Sequence, residues 1–302
     1  MLVYDQETFT RPFGEPNPDQ DIGTNGERLI ECAGRVCYDS YGRGRSSDDY
    51  HTHIAEVGHG SVWEHFNITV SVDLWMLKHL ASRPGVWIYQ EGASLLRVTY
   101  NPRVVLHWLG NMEVDVRATL MTAMAPFLPR IVPDMGKARW CINLAPLHEE
   151  EMWVTLYLRG SRGFSHELVR HGDRTAISQR STRYVDESNS SWMLHPLLVE
   201  RFAEYPGLRD RVESVIQDCR TCYDEIVALL EPTVGRKQAR GAARGVLGNA
   251  LSTEIVFSAS VAQWKRMIAQ RLNPAADREI QDVFREQVLP GLRESQYGRY
   301  FA

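Results

Sequence analysis

The sequence has 302 residues, of which 43% are hydrophobic, and it carries a formal net charge of -4. This length suffices for one large domain or two ordinary ones, and the composition is that of a globular protein with a sizeable core. The mildly acidic balance argues against general nucleic-acid binding, because domains that bind the phosphate backbone are usually basic. Any anion site must therefore be local.

The sequence indicates neither a targeting segment nor a membrane span. The N-terminus lacks a basic start followed by an apolar run, and no stretch reaches the unbroken apolar length of a membrane helix. The five cysteines, an odd number, do not suggest a disulfide framework. We therefore expect a cytoplasmic protein that does not bind membranes.

The first periodic segments follow a loop-rich opening at 13–26. Residues 27–37 carry apolar side chains at helical spacing and predict a helix. Residues 66–72 alternate apolar with polar or small side chains, which predicts a half-buried strand. A second strand is predicted at 152–158.

The clearest helix is predicted at 208–230, where apolar residues form one stripe. Pro206-Gly207 and Pro232 are expected to bound it. Helix also dominates the C-terminal third. Early strands, late long helices and no regular strand-helix alternation predict an α+β fold rather than a doubly wound parallel sheet.

Two patterns suggest metal or redox chemistry, but neither has the required context. Cys219 and Cys222 have CxxC spacing, yet both lie on the apolar stripe of the long helix, so we interpret them as buried packing residues. His59, Glu64 and His65 match neither the H-E-x-x-H nor the H-x-x-E-H arrangement. We therefore predict no metal site. The sequence also lacks a G-x-S-x-G elbow, a phosphate-binding loop and a G-x-G-x-x-G motif, which argues against hydrolase, NTPase and Rossmann functions.

The run RHGDRTAISQRSTRY, residues 170–184, concentrates arginines and hydroxyl groups. Arg170 and Arg174 would share one side of a helix, and Arg180 and Arg183 flank hydroxyls that could bind the same anion. Ordinary ion pairs on a solvated surface are the alternative, but only two acidic residues lie close in sequence. The excess of positive charge favours a phosphate site.

Three collinear blocks resemble the flavin-dependent thymidylate synthases, the ThyX family. The family signature, Arg-His-Arg followed by Ser-x-Arg, is similar to Arg170-His171 and Ser181-Thr182-Arg183. The stretch GHGSVWEH resembles the family block Gly-His-Glu-(Ser/Thr)-Pro-Phe-Glu-His. The stretches ARGVLGNALSTEIVFSAS and MIAQRLNPAADREIQ resemble the C-terminal block. Because the blocks lie in the beginning, middle and end of the chain, this resemblance is more specific than one motif.

The resemblance implies a ThyX-like fold with an antiparallel sheet and long helices, formed by a single catalytic domain over residues 1–302. Compact members of the family lack the segment between the two predicted strands, so we expect an insertion at about 73–152. Family members are homotetramers whose active sites combine residues from several subunits. The same is expected here.

The resemblance also implies an activity. Family members methylate C5 of a uracil nucleotide, with methylenetetrahydrofolate as the carbon donor, FAD as the hydride carrier and NADPH as the reductant. Uracil C5 becomes nucleophilic when negative charge accumulates on the ring, so a guanidinium beside N3 and O2 would activate it. We therefore expect a flavoprotein methyltransferase of nucleotide biosynthesis that converts dUMP into dTMP and has small-molecule partners only.

The resemblance assigns these roles to individual positions. Arg271 is the candidate for activating uracil, and Ser181 is a second catalytic candidate. The implied nucleotide-binding residues are Glu167, Arg170, Gln179, Arg180, Ser181, Thr182, Arg183, Arg244 and Arg271. The implied flavin-contacting residues are His59, Ser61, Arg170, His171, Arg174, Ser260 and Arg266.

The sequence departs from the family at several of these positions. Gly172 replaces the central arginine of Arg-His-Arg, and Arg174 could supply the lost charge. Ser260 and Ala262 stand where the family has a flavin-contacting asparagine and arginine, and Glu167 stands where relatives often carry glutamine. Three functions stay open: methylation of dUMP, the same reaction on UMP as in nucleoside-antibiotic biosynthesis, and nucleotide binding without catalysis.

Overall fold

The computed structural model describes residues 2–4, 23–109, 114–136 and 141–302. These residues form two four-stranded sheets in which every pair of neighbouring strands is antiparallel. Sheet A contains, in spatial order, β1 (Leu2–Tyr4), β6 (Trp153–Ser161), β8 (Ser252–Ser260) and β7 (Thr175–Gln179). Sheet B contains β3 (Val86–Glu91), β4 (Leu95–Tyr100), β2 (Ile68–Asp73) and β5 (Cys141–Leu144).

Helices of very different lengths accompany the sheets. They are α1 (Asn25–Tyr38), α2 (Ser47–Glu56), α3 (Leu77–Leu80), α4 (Val114–Met124), α5 (Arg162–Leu168), α6 (Pro196–Arg201), α7 (Pro206–Val234), α8 (Arg236–Ala243), α9 (Val261–Arg271), α10 (Arg278–Val283) and α11 (Leu289–Glu294). Among the described residues, no helix is both long and apolar enough to cross a membrane. The prediction of an α+β fold with antiparallel strands and long helices is confirmed.

Helix α1 shows why the predicted helix at 27–37 forms. Thr24 and Glu27 make a capping box, in which the Thr24 hydroxyl accepts from the Glu27 amide and the Glu27 carboxylate accepts from the Thr24 amide. Leu29 and Ile30 are fully buried, and they pack into different core clusters. Ile30 belongs to the core cluster of sheet B, and Leu29 packs with residues of sheet A. Helix α1 is therefore packed between the two sheets.

The predicted strands at 66–72 and 152–158 are confirmed as β2 and β6. The segment 73–152 supplies β3, β4 and β5, so most of sheet B comes from the expected insertion. Arg97 of β4 joins this sheet to the chain just before β6, because its Nε and Nη2 both donate to the Glu151 carboxylate at 2.8 Å. Whether the segment is an insertion relative to the family stays a prediction.

The predicted helix at 208–230 is present within α7, but its predicted limits are wrong. Pro206 and Gly207 lie in the first turn, where proline is tolerated because its missing N–H would have no helical partner. Pro232 lies inside the last turn, and the helix ends before Gly235, whose φ of 77° only glycine adopts easily.

The apolar stripe of α7 is not a buried stripe in the single chain. Tyr223 is the one residue of the helix that is fully buried, whereas Val215 is 54% and Leu229 is 75% exposed. Cys219 and Cys222 are free thiols of intermediate exposure. The prediction that both are buried packing residues is therefore wrong, because the face on which they lie is only partly covered by the chain itself.

Candidate functional site

Several of the predicted site residues lie around helix α5, which connects β6 to β7. Ser161 ends β6 and caps α5, since its hydroxyl accepts from the Phe164 amide at 3.0 Å. The other end of α5 leads through a short turn to Thr175, where β7 begins opposite Ala259 of β8. This turn lies at the same end of sheet A as the start of α9, because α9 begins directly after β8. Two groups of charged residues occupy the two ends of α5.

The Arg271 cluster, at the C-terminal end of α5, contains Glu167, Arg170, His171 and Arg271. The Arg271 guanidinium donates from Nε to His171 Nε2 at 2.7 Å, from Nη1 to Glu167 Oε2 at 2.9 Å, and from Nη2 to the Glu167 carbonyl at 2.9 Å. Its side chain is only 14% exposed. Arg170 lies 3.3 Å from the same carboxylate with 70% of its side chain exposed. The cluster thus fixes one arginine and leaves another open to solvent.

The His171 imidazole acts as a hydrogen-bond acceptor in this cluster. Burial lowers its pKa, the positive charge of Arg271 lowers it further, and Glu167 opposes both effects. A neutral ring keeps a lone pair on Nε2 for the Arg271 N–H. The cluster therefore depends on an uncharged histidine.

Two more of the predicted cations lie at the turn between α5 and β7. Arg266 of α9 pairs with Asp173 at 3.1 Å and is 50% exposed. Arg174 adopts a left-handed conformation, with φ of 50°, and its Nη1 donates to the Tyr89 hydroxyl at 2.9 Å. Arg170 and these two arginines surround the turn.

The Arg162 cluster, at the N-terminal end of α5, contains Arg162, Arg180, Glu187 and Arg244. Arg180 lies 3.6 Å from the buried Glu187 carboxylate. Burial lowers the pKa of Arg162 and the nearby positive charge of Arg244 lowers it further, while Glu187 raises it. Within the described ranges, the side chains of Arg162 and Arg244 form no ion pair. Two neighbouring guanidinium groups without a carboxylate partner suit an anion.

The chain between these clusters holds the remaining signature residues. Gln179 donates to Ser165 Oγ in α5 and to Thr253 Oγ1 in β8, both at 3.1 Å, so it lies beside the middle of α5. The Ser181 amide donates to the Cys37 carbonyl at 2.9 Å, and Thr182 is buried. These contacts fix the backbone that leads into the Arg162 cluster.

Arg183 belongs to neither cluster. It is exposed, and its guanidinium carbon lies 5.9 Å from the ring centroid of Tyr184. The expectation that Arg183, Arg244 and Arg271 hold one ligand stays a prediction, because cations that bind one ligand need not contact each other.

His59 and His65 belong to the same eight-residue block, GHGSVWEH, but differ completely in environment. His65 is fully buried between Ser258 Oγ at 2.7 Å and Ser178 Oγ at 3.0 Å, and burial lowers its pKa to about 3. It is a satisfied core histidine. His59 is half-buried and stacks on Tyr38, with 5.7 Å between ring centroids. Its pKa is lowered, first by burial and then by Lys237 and other cations.

Two predicted flavin contacts near these elements differ in accessibility. Ser61 is exposed and follows His59 in the turn Gly60–His65. Ser260 is fully buried and caps α9, because its hydroxyl accepts from the Gln263 amide at 3.2 Å. The Ser260 hydroxyl therefore caps the helix, and the expected contact of Ser260 with a flavin stays a prediction.

The charged side chains around the turn between α5 and β7 determine which group the chain could hold there. Arg170, Arg174 and Arg266 present cations around one turn, which fits the anionic diphosphate of FAD. Ser260 does not take part in this fit. Among the described residues, no group of three His, Cys, Asp or Glu side chains could hold a metal ion.

Sequence reasoning missed four residues that shape these sites. Arg162 lies directly after β6 and carries no recognisable spacing, so no signal in the sequence could have identified it. Tyr38 and Tyr89 contact His59 and Arg174 from distant parts of the chain, and Tyr184 lies beside Arg183. Aromatic residues so placed are indistinguishable by sequence from ordinary packing residues.

Residues 149–289 match the family model described as thymidylate synthase complementing protein, Thy1. A flavin-dependent thymidylate synthase of Corynebacterium glutamicum is 38% identical over 139 residues, which are 43% of this chain and 54% of that protein. One from Mycobacterium marinum is 38% identical over 162 residues, 50% of this chain and 63% of the relative. One from Corynebacterium diphtheriae is 25% identical over 289 residues, 91% of this chain and 79% of the relative.

The first two of these matches span about half to two-thirds of the relatives' own length. The crystal structure of ThyX from Helicobacter pylori with FAD and dUMP has 19% sequence identity, covers 49% of this chain and 71% of its own, and superposes with a TM-score of 0.36. That score is too low for a residue-by-residue comparison. The resemblance seen in the sequence blocks is confirmed by the family model and the relatives. Residues 149–289 are thus similar to the flavin-dependent thymidylate synthases.

Proposed function

We propose that this chain is a flavin-dependent methyltransferase that converts dUMP into dTMP, with methylenetetrahydrofolate as the carbon donor and NADPH as the reductant. The observation that supports this function best is the Arg271 cluster, in which a largely buried guanidinium is held by His171 and Glu167. FAD, when bound, would carry hydride from NADPH to the nucleotide.

Arg271 has the donors that uracil activation requires. A guanidinium carries five N–H groups. Three of these bond within the cluster, one each from Nε, Nη1 and Nη2, so each terminal nitrogen keeps one N–H. Two such donors could pair with N3 and O2 of a uracil ring and stabilise negative charge there. The ring would then become nucleophilic at C5.

Glu167 keeps this guanidinium in place. Relatives often carry glutamine at this position, and here the carboxylate accepts from Arg271 and lies close to Arg170. Two cations beside one carboxylate leave the cluster with a net positive charge. We infer that Glu167 orients Arg271 and does not repel the nucleotide.

The Arg162 cluster is the proposed phosphate site. Helix α5 has 7 residues, so its ends lie roughly 10 Å apart at 1.5 Å per residue. This separation is comparable to that between the phosphate and the base of one mononucleotide. Arg162 and Arg244 would bind the phosphate, Arg271 would bind the base, and Gln179 lies between them.

We also propose that the protein is a homotetramer with shared active sites. Val215 and Leu229 leave apolar surface on α7, which another copy of the chain could cover. Arg183 contacts neither cluster and is exposed, which is the position expected of a residue that serves a neighbouring subunit. Beyond the nucleotide, the folate and NADPH, no nucleic-acid or membrane partner is proposed, and the cytoplasm is the proposed location.

Tritium release from C5 tests the activity. Purified protein with FAD, NADPH and methylenetetrahydrofolate should release tritium from [5-³H]dUMP, because methylation replaces the C5 hydrogen. The same assay with [5-³H]UMP addresses the rival substrate, and a strong preference for UMP would replace dUMP in the proposal. A protein whose bound flavin bleaches with NADPH but that releases no tritium from either nucleotide would contradict a methyltransferase.

A further inference from the structure

Strand β3 of sheet B reaches across to the turn between α5 and β7. Trp87 and Tyr89 are two positions apart and therefore point to the same side of β3. Their ring centroids both lie 5.8 Å from the guanidinium carbon of Arg174. The Tyr89 hydroxyl accepts a hydrogen bond from Arg174 Nη1 at 2.9 Å. The two rings and one hydroxyl thus fix the end of the Arg174 side chain.

Trp87 and Tyr89 each pack against a further aromatic ring. Trp87 lies against Trp153 of β6, with 5.2 Å between ring centroids, and Tyr89 stacks on His148 at 5.0 Å. Arg174 has a positive φ, and a residue other than glycine keeps such a conformation only where its surroundings impose it. Sheet B therefore supplies a rigid support for this one arginine.

A cavity of about 250 Å³ opens beside Arg174. Its acidic residues are already paired, Glu64 with Arg103 and Asp173 with Arg266. Arg174 has no carboxylate partner among the described residues, since its hydrogen bond goes to a neutral phenol. The uncompensated charge of the cavity is therefore positive.

Gly172 lines the same cavity and leaves it open. A Cβ atom added to Gly172 would meet nothing within 4 Å, and its φ is not positive, so packing does not require glycine there. The cavity is large enough for a diphosphate or one ring system but not for a whole dinucleotide. Its charge favours the diphosphate.

We propose that Arg174 binds the diphosphate of the flavin cofactor at this cavity, and that Tyr89 and Trp87 are positioning residues that hold Arg174 there. This inference rests on the proposed function, because it takes FAD as the ligand. The expected insertion would then form one wall of the cofactor site through β3.

Binding of FAD and of riboflavin, which lacks the phosphates, tests this inference. Any co-purified flavin is removed, and quenching of flavin fluorescence gives Kd for each ligand with the wild type and with Arg174→Gln, Tyr89→Phe and Arg209→Gln. Arg209 is an exposed arginine paired with Glu213 on α7, so its variant controls for the loss of one charge. Melting temperatures report whether each variant folds.

Arg174→Gln should weaken FAD binding by about tenfold or more, because it removes a charge-assisted hydrogen bond, and should change riboflavin binding by less than about twofold. Tyr89→Phe should weaken FAD binding in the same direction by a smaller factor, and Arg209→Gln should not change it. Adding Gly172→Arg to Arg174→Gln should restore part of the FAD affinity, because the new side chain has open space.

The other possible results of the binding experiment contradict either the inference about Arg174 or the proposed function. If the wild type binds FAD and Arg174→Gln binds it equally well, the inference is wrong and the proposed function stands. Equal losses for FAD and riboflavin would also overturn it, since Arg174 would then act on the ring or on the fold. If Arg174→Gln does not fold, Tyr89→Phe decides, because it removes a single oxygen. A wild type that binds no FAD overturns the proposed function together with the inference.

Discussion

Arg271 shows how a residue becomes a candidate for chemistry through its neighbours. At a helix end, an arginine is ordinarily explained by the negative end of the helix dipole. Here the guanidinium is fixed by a carboxylate, a carbonyl and a neutral imidazole, and it still keeps two free N–H groups. Such fixed donors are what stabilises developing charge without reorganisation.

We predict that Arg271→Ala lowers kcat by about a hundredfold or more, because removing one donor that stabilises developing negative charge has an effect of that order. FAD should still bind, since the proposed cofactor contacts lie at Arg170, Arg174 and Arg266. Tritium release and flavin fluorescence measure the two properties separately. Arg201→Ala, which removes an exposed arginine paired with Glu204, is the matched control. Normal turnover of Arg271→Ala would refute its assigned role.

At the scale of elements, helix α5 organises the site because it joins β6 to β7 and carries a charged cluster at each end. The turn Gly60–His65 is fixed to the same sheet through His65, which bonds to Ser178 of β7 and Ser258 of β8. A neutral buried histidine in this position couples the fold to pH.

We predict that the protein loses stability as the pH falls from about 6.5 toward 4. Burial lowers the pKa of His65 to about 3 in the folded state, below its ordinary value of 6.5, so the unfolded chain binds the proton first. Stability from this residue is complete above pH 6.5 and declines by at most about 1.4 kcal/mol per pH unit below it. Urea unfolding at a series of pH values measures the slope.

His65→Gln provides the control for this dependence. It should lower the free energy of unfolding at neutral pH, because it disturbs two buried hydrogen bonds, and should flatten the slope. The slope should not vanish, because burial also lowers the pKa of His51, to about 4. A slope identical to that of the wild type would show that His65 is not the titrating group.

Periodicity located α1, β2, β6 and the body of α7, because it records which side of an element avoids water. It could not show what covers that side. The stripe of α7 looks the same in sequence as a core stripe, yet Val215 and Leu229 are exposed in the single chain. The family blocks located Arg271 and His171, whereas Arg162 and Tyr89 act only through contacts that the fold creates.

At the scale of the whole molecule, two sheets meet at the candidate cofactor site. Sheet A carries the signature residues on and around β7, and sheet B brings Tyr89 and Trp87 to the turn before it. The buried pair of Arg97 and Glu151 fastens the two parts together. The long helix α7 remains largely outside both cores, which suits a role between subunits.

We predict that the protein sediments as four copies of the 34.5 kDa chain. Replacing both Val215 and Leu229 by glutamate should shift it to smaller species, because charges would be buried in an apolar contact. Sedimentation velocity measures both. Arg209→Gln, on the same helix, should leave the assembly unchanged. A wild-type monomer at micromolar concentration would contradict the tetramer and the shared sites.

A crystal structure of the protein with FAD and dUMP is the most direct measurement. We expect the nucleotide phosphate within hydrogen-bond distance, about 2.7–3.2 Å, of Arg162 or Arg244, and the N3 and O2 edge of the uracil facing Arg271. The flavin ring should lie next to that base. A nucleotide bound away from both ends of α5 would contradict the proposal that these two arginine clusters hold the substrate.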